Sequence, residues 1–112
     1  MRLWMVNPKW MCRKHLLGEH LETHMFAGSF LKGRSLKGYV EKGLVEVRNI
    51  KVRHDELVEE MKRREMNHGS SIKFQIEAEL AYPDGHVDVK KSEEELFGRC
   101  EECRLLKESL QS

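Results

Sequence analysis

Residues 11–30 read MCRKHLLGEHLETHMFAGSF, and the fold turns on that stretch. Leu16, Leu17, Leu21, His24, Met25 and Gly28 recur at spacings of three and four, with charged or polar residues between them. That is the helix period, and it predicts one long N-terminal helix. Before it, residues 2–6 are short and apolar, and Asn7-Pro8 breaks them; after it, Gly33-Arg34-Ser35 interrupts the pattern. A second helix is predicted over residues 53–67, RHDELVEEMKRREMN, with Leu57, Met61 and Met66 turned inward. Glu59 and Glu60 stand four residues ahead of Arg63 and Arg64, the favourable order for helix ion pairs. His68-Gly69-Ser70-Ser71 is the expected stop.

Further on the period changes. Phe74, Ile76, Ala78 and Leu80 alternate with polar residues, Tyr82-Pro83-Asp84-Gly85 is a turn signal, and His86 to Lys90 resumes the alternation. A β-hairpin over about residues 73–91 is the local reading, and it must pack on helices to be stable. Ser92 with Glu95 three residues later has the form of a capping box, so a last helix is expected from about Glu93 towards Lys107, carrying Leu96, Phe97, Cys100 and Leu105. The expected fold is therefore mainly α: a compact helical single domain over 1–112 with a long N-terminal helix and an appended hairpin. Residues 1–68 form its main helical part and residues 69–112 the hairpin and C-terminal helix.

The 112 residues are 39% hydrophobic and 35% charged, enough apolar content for one modest core. No apolar run is long enough to span a bilayer, and the first residues lack the apolar core and cleavage site of a secretory signal. Three cysteines are too few for a disulfide framework, so a reducing, cytoplasmic setting is expected. The net charge of +1 hides a split. Residues 1–64 carry 14 Lys and Arg against 8 Asp and Glu, and residues 65–112 carry 6 against 11. Such asymmetry suits a basic face that meets a polyanion, although an unevenly charged solvated surface gives the same count.

Within the first helix, His15, Glu19 and Glu22 share one face at spacings of four and three, and His20 and His24 share another. The histidine pair could chelate a metal, but Leu21 stands where the zinc-protease motif needs Glu, so surface or interface histidines are the plainer account. Cys100-Glu101-Glu102-Cys103 is a single CxxC, and Cys12-Arg13-Lys14-His15 supplies a CxxH. The two pairs could make a Cys₃His zinc site that fastens the last helix to the first. Equally, they could be reduced thiols packed as small apolar side chains.

The opening stretch, with the pattern His15-Leu16-x-x-Glu19-x-x-Glu22, followed by the block at residues 53–67, resembles the pyrimidine-dimer DNA glycosylase/AP lyase family over roughly residues 1–68. The resemblance implies an all-helical architecture. It also implies a nucleophile that is the α-amino group of the first residue. An α-amine titrates at about 7.7–8.0, well below lysine, so much of it is unprotonated near neutral pH. It would attack the sugar carbon of a damaged nucleotide, form an imine and permit β-elimination, without a metal or organic cofactor. The ungapped match puts Met1 at the nucleophile, and Arg2 in second place is expected to keep the initiator methionine. By the same match Glu22 is the assisting carboxylate, and Arg2, Lys14 and His15 approach DNA. The implied partner is double-stranded DNA with damaged or abasic sites. Arg13, Lys32, Arg34, Lys37, Arg48, Lys51 and Arg53 are further candidates for phosphate contact, and Trp4, Trp10 and Phe30 are candidate wedges or core residues.

The chain departs from the family pattern in three places. Leu21 and Met25 stand where arginines are usual, Glu65 where a glycine commonly ends the central helix, and RCEECRLLKESLQS where an aromatic, basic tail is usual. A competing reading is a non-catalytic nucleic-acid- or protein-binding module stabilised by zinc through Cys12, His15, Cys100 and Cys103.

Overall fold

Asn7 accepts a hydrogen bond from the Lys9 N–H and Pro8 opens a 3-10 turn at Pro8–Trp10, so the chain reverses just before its longest helix. The computed structural model describes residues 1–67, 71–72 and 76–111, with the side chains of residues 76–78 left aside. Among the described residues six α-helices follow the turn: α1 (Arg13–Leu31), α2 (Lys37–Glu41), α3 (Ile50–Arg63), α4 (Ile76–Ala81), α5 (Val89–Arg99) and α6 (Glu101–Gln111). There is no strand among the described residues, and no described helix is long and apolar enough to cross a membrane.

Helix α1 forms where the spacing predicts it, but its buried face differs from the expected one. The inward residues are Leu16, Glu19, Thr23, Phe26 and Ala27, while Leu21 and Met25 are 58% and 46% exposed. The core stripe runs through two polar positions, which an apolar count steps over. Thr23 is accommodated by donating to the His20 carbonyl at 2.6 Å. Glu19, 1% exposed, faces Arg53 on α3, also 1% exposed. Arg53 Nε lies 2.5 Å from one carboxylate oxygen and Nη2 3.0 Å from the other. This two-pronged ion pair ties the two helices together.

The helix ends are set by their last backbone bonds. Gly33 and Gly43, at φ +75° and +69°, follow α1 and α2 in left-handed conformations. After α3 the same place is held by Glu65, at φ +60°. There Glu65 N–H bonds to the Lys62 carbonyl and Met66 N–H to the Met61 carbonyl, both at 2.9 Å. This is a Schellman ending carried by a residue that has a Cβ. Helix α3 runs Ile50–Arg63 rather than from Arg53 to Asn67, because a 3-10 turn at Val47–Asn49 leads into it and the Glu65 turn closes it.

The hairpin expected at 73–91 is not formed. Residues 73–75 lie outside the described residues; residues 76–81 are helix α4, and α5 already begins at Val89. Alternation over so few residues does not separate strand from short helix, and Leu80 is exposed rather than inward. Side chains, not a partner strand, meet the backbone between the two helices. Arg48 donates to the Gly85 and Pro83 carbonyls, and buried Glu46 accepts from Val87 N–H at 2.8 Å. The single last helix is also replaced, by α5 and α6 with Cys100 extended between them. Asp88, not Ser92, caps α5, accepting from Lys91 N–H. Ser92 is buried inside the helix and donates to the Trp4 carbonyl at 2.6 Å.

Two apolar clusters result. Leu3, Phe26, Leu36, Val45 and Ile50 belong to one, and Trp4, Val6, Leu16, Leu57 and Leu96 to the other. The first six residues thread between them: Leu3 N–H bonds to the Leu44 carbonyl at 2.7 Å, Leu3 enters the first cluster, and Trp4 and Val6 enter the second. Met5, at φ +58°, turns the chain there, with its N–H 3.4 Å from Glu19.

Candidate functional site

The threaded N-terminal segment brings the start of the chain to the middle of α1. Met1 is half-buried against the first cluster. Glu22, one turn beyond Glu19, is half-buried as well. Burial raises the pKa of the Glu22 carboxyl above its ordinary value. Opposing that rise are the Arg2 backbone N–H, which donates towards it, and the positive charge of the Met1 α-ammonium; Glu19 pushes in the same direction as burial. The carboxylate therefore lies within electrostatic reach of the chain's own amine.

Arg2 serves two ends. Its backbone turns towards Glu22, while its guanidinium pairs with Glu95 at 2.6 Å, donates to Ser92 at 3.3 Å and lies 3.9 Å over the Trp4 ring. The guanidinium also borders a cavity of about 220 Å³ beside Lys42, His86 and Lys91. A phosphate contact by Arg2 would thus compete with an internal ion pair. Lys14 is exposed on the first turn of α1. His15 is not brought to Glu22; it stands two turns away and faces the cysteines, with Nδ1 3.2 Å from Cys12 Sγ and 3.7 Å from Cys103 Sγ. Burial, then the Lys14 charge, lower the pKa of its ring against a pull from Glu102.

Among the candidate phosphate contacts, Arg13, Lys32, Arg34, Lys37 and Lys51 are exposed. Arg53 is not one of them, since it is buried on Glu19, and Arg48 is spent on the backbone at residues 83–85. Trp4 is a core residue, and Trp10 packs edge-on to Phe97.

Among the described residues, two groups of side chains have metal-ligand chemistry: Cys12, His15, Cys100 and Cys103, and His20, His24 and His54. In the second, the three rings stand 4.8–5.0 Å apart by centroid. His54 comes from α3, and the sequence pattern singled out only the pair on α1. The signal for the third member is tertiary: α3 crosses α1 with His54 next to the Arg53 that grips Glu19.

A family model described as pyrimidine dimer DNA glycosylase matches residues 1–74, about two thirds of the chain, and the chain belongs to that family. No curated protein and no solved structure matches the chain.

Proposed function

We propose that this member of the family is a DNA-repair glycosylase and AP lyase that works through its own N-terminal amine. The Met1 nitrogen attacks the anomeric carbon of the damaged nucleotide. The bond to the base breaks, with its electron pair leaving on the base; the C1′–O4′ bond then opens, its electron pair and a proton going to O4′, as the nitrogen loses a proton and forms a C=N imine to the sugar carbon. Loss of a proton from the adjacent sugar carbon then expels the 3′ phosphate by β-elimination, and water releases the nicked product. Glu22 stabilises the cationic imine and moves the protons. Exposed Arg13 and Lys14, with Lys32, Arg34 and Lys37, supply phosphate contacts that position the duplex. Arg2 joins them when it exchanges Glu95 for phosphate. His15 has no part in this scheme.

The observation that supports this reading best is a half-buried Glu22, its pKa raised by burial, on which the Met1 ammonium acts. Glu19, by contrast, is paired with the Arg53 guanidinium. Borohydride trapping tests the reading. With an abasic duplex the full-length protein should form a covalent protein–DNA adduct, and a duplex carrying a pyrimidine dimer should give the same adduct if base removal is retained. Selective acylation of the α-amine, or Glu22→Gln, should abolish it. An adduct that persists after acylation, carried by a lysine, would refute the assigned nucleophile.

A further inference from the structure

We propose that Cys12, His15, Cys100 and Cys103 form a tetrahedral zinc site that clamps the C-terminal helices onto the start of the chain. The argument is geometric. Zinc binds thiolate sulfur at about 2.3 Å and imidazole nitrogen at about 2.0–2.1 Å, so a tetrahedron on such bonds has S–S edges of about 3.8 Å and S–N edges of about 3.6 Å. Here Cys12 Sγ lies 3.7 Å from Cys100 Sγ, and His15 Nδ1 lies 3.2 Å from Cys12 Sγ and 3.7 Å from Cys103 Sγ. All four donor atoms fall within 4.8 Å of one another.

The backbone is arranged for thiolates too. Cys12 N–H donates to Cys103 Sγ at 3.1 Å, and Cys103 N–H donates to Cys100 Sγ at 3.4 Å. Both ligand pairs occupy the start of a helix, Cys12 as the N-cap of α1 and Cys100 just ahead of α6, so the second ligand of each pair follows within one turn. A disulfide between Cys12 and Cys100 would need sulfur atoms about 2.05 Å apart and would leave the Cys103 thiol and the imidazole without purpose. Soft sulfur donors with one imidazole select zinc over harder cations.

The site would join two parts of different standing. Cys12 and His15 lie within the family match at residues 1–74, and Cys100 and Cys103 lie beyond it. Helix α5, held in place through Cys100, carries the Ser92 and Glu95 that grip Trp4 and Arg2. The metal is thus a positioning device for the chain's first residues, not a participant in bond breaking, and the proposal stands whether or not the amine chemistry does.

Elemental analysis of full-length protein, prepared reduced and without added zinc, should find one zinc per chain. Exchange into cobalt(II) should give the intense visible bands of a tetrahedral thiolate site, and bound metal should shield all three thiols from alkylation until a chelator is added. Cys103→Ser should lose the metal. His15→Cys should keep it, and His15→Phe should lose it, which separates ligation from mere packing. Metal-free protein whose three thiols react at once, or protein whose mass is lower by the two hydrogens of a Cys12–Cys100 disulfide, would overturn the proposal.

Discussion

Two carboxylates on one face of α1 are treated in opposite ways. Where the helix meets α3, Glu19 is wholly enclosed and neutralised by the two-pronged Arg53 guanidinium. Where it meets the start of the chain, three residues later, Glu22 is only partly enclosed, and burial outweighs the Arg2 N–H, the Met1 ammonium and the Arg2 charge that oppose it. The first arrangement holds helices together; the second makes the carboxyl keep its proton to higher pH than an ordinary Glu. Less than one helical turn separates the paired carboxylate from the one that the proposed chemistry would use.

The largest expected effect would break the contrast on the reactive side. Glu22→Gln should slow strand nicking at an abasic site by about 10²–10⁴-fold, the usual worth of a positioned acid–base group, with no loss of melting temperature. A variant that nicks normally would put Glu22 in the same structural class as Glu19. At the α3 contact, Glu19→Ala leaves buried Arg53 with only the half-exposed Glu56 carboxylate at 3.5 Å and should cost about 3 kcal/mol in urea denaturation. Replacing both, as Glu19→Met with Arg53→Leu, should recover much of that loss, because a buried ion pair barely repays its desolvation.

A third test sharpens the contrast through pH. The folded state raises the pKa of Glu22, so its contribution to stability is full below the ordinary carboxyl range and is lost as pH rises through the raised value. Denaturation midpoints of wild type should therefore fall relative to Glu22→Gln as pH rises across that interval. Glu60 has the opposite sign. Burial pushes its pKa up, but hydrogen bonds from Arg63 and Arg64 prevail and hold it below its usual value. Its contribution is present above the ordinary range and lost as pH falls through the lowered value, so Glu60→Gln should matter near neutrality and vanish in acid. The smallest effect is a control remote from both sides. Glu65→Gly relieves a left-handed residue at the end of α3 and should stabilise by about 0.5–1 kcal/mol, with nicking rates unchanged.

Local pattern carried the helices and little of what joins them. The period over residues 11–30 placed α1 to within two residues, and the Glu–Arg spacing marked α3. The face of α1 was misjudged because Glu19 and Thr23 are core residues, and a carboxylate becomes one only when a guanidinium 34 positions away arrives to meet it. The hairpin failed for a related reason: alternation over five or six residues suits a short helix equally well, and only packing decides. Ser92 looked like a cap because its neighbours fit the motif, yet Asp88 won and freed Ser92 to hold Trp4. At the site, the His15, Glu19 and Glu22 spacing was readable, but their separate fates were not. The thiol spacing at Cys12, Cys100 and Cys103 was visible as two half-motifs, whose meeting is a tertiary event. His54 carries no such local signal, since nothing near it in the chain announces the two rings it joins.

The grip of α5 on residues 2 and 4 also bears on how the molecule is made. Residues 92 and 95 are made long after residues 2 and 4, so the start of the chain can meet Leu44 and Glu19 early but gains its grip from α5 only late. A nascent chain stalled before α5 would therefore lack the Glu95 and Ser92 contacts that hold Arg2 and Trp4.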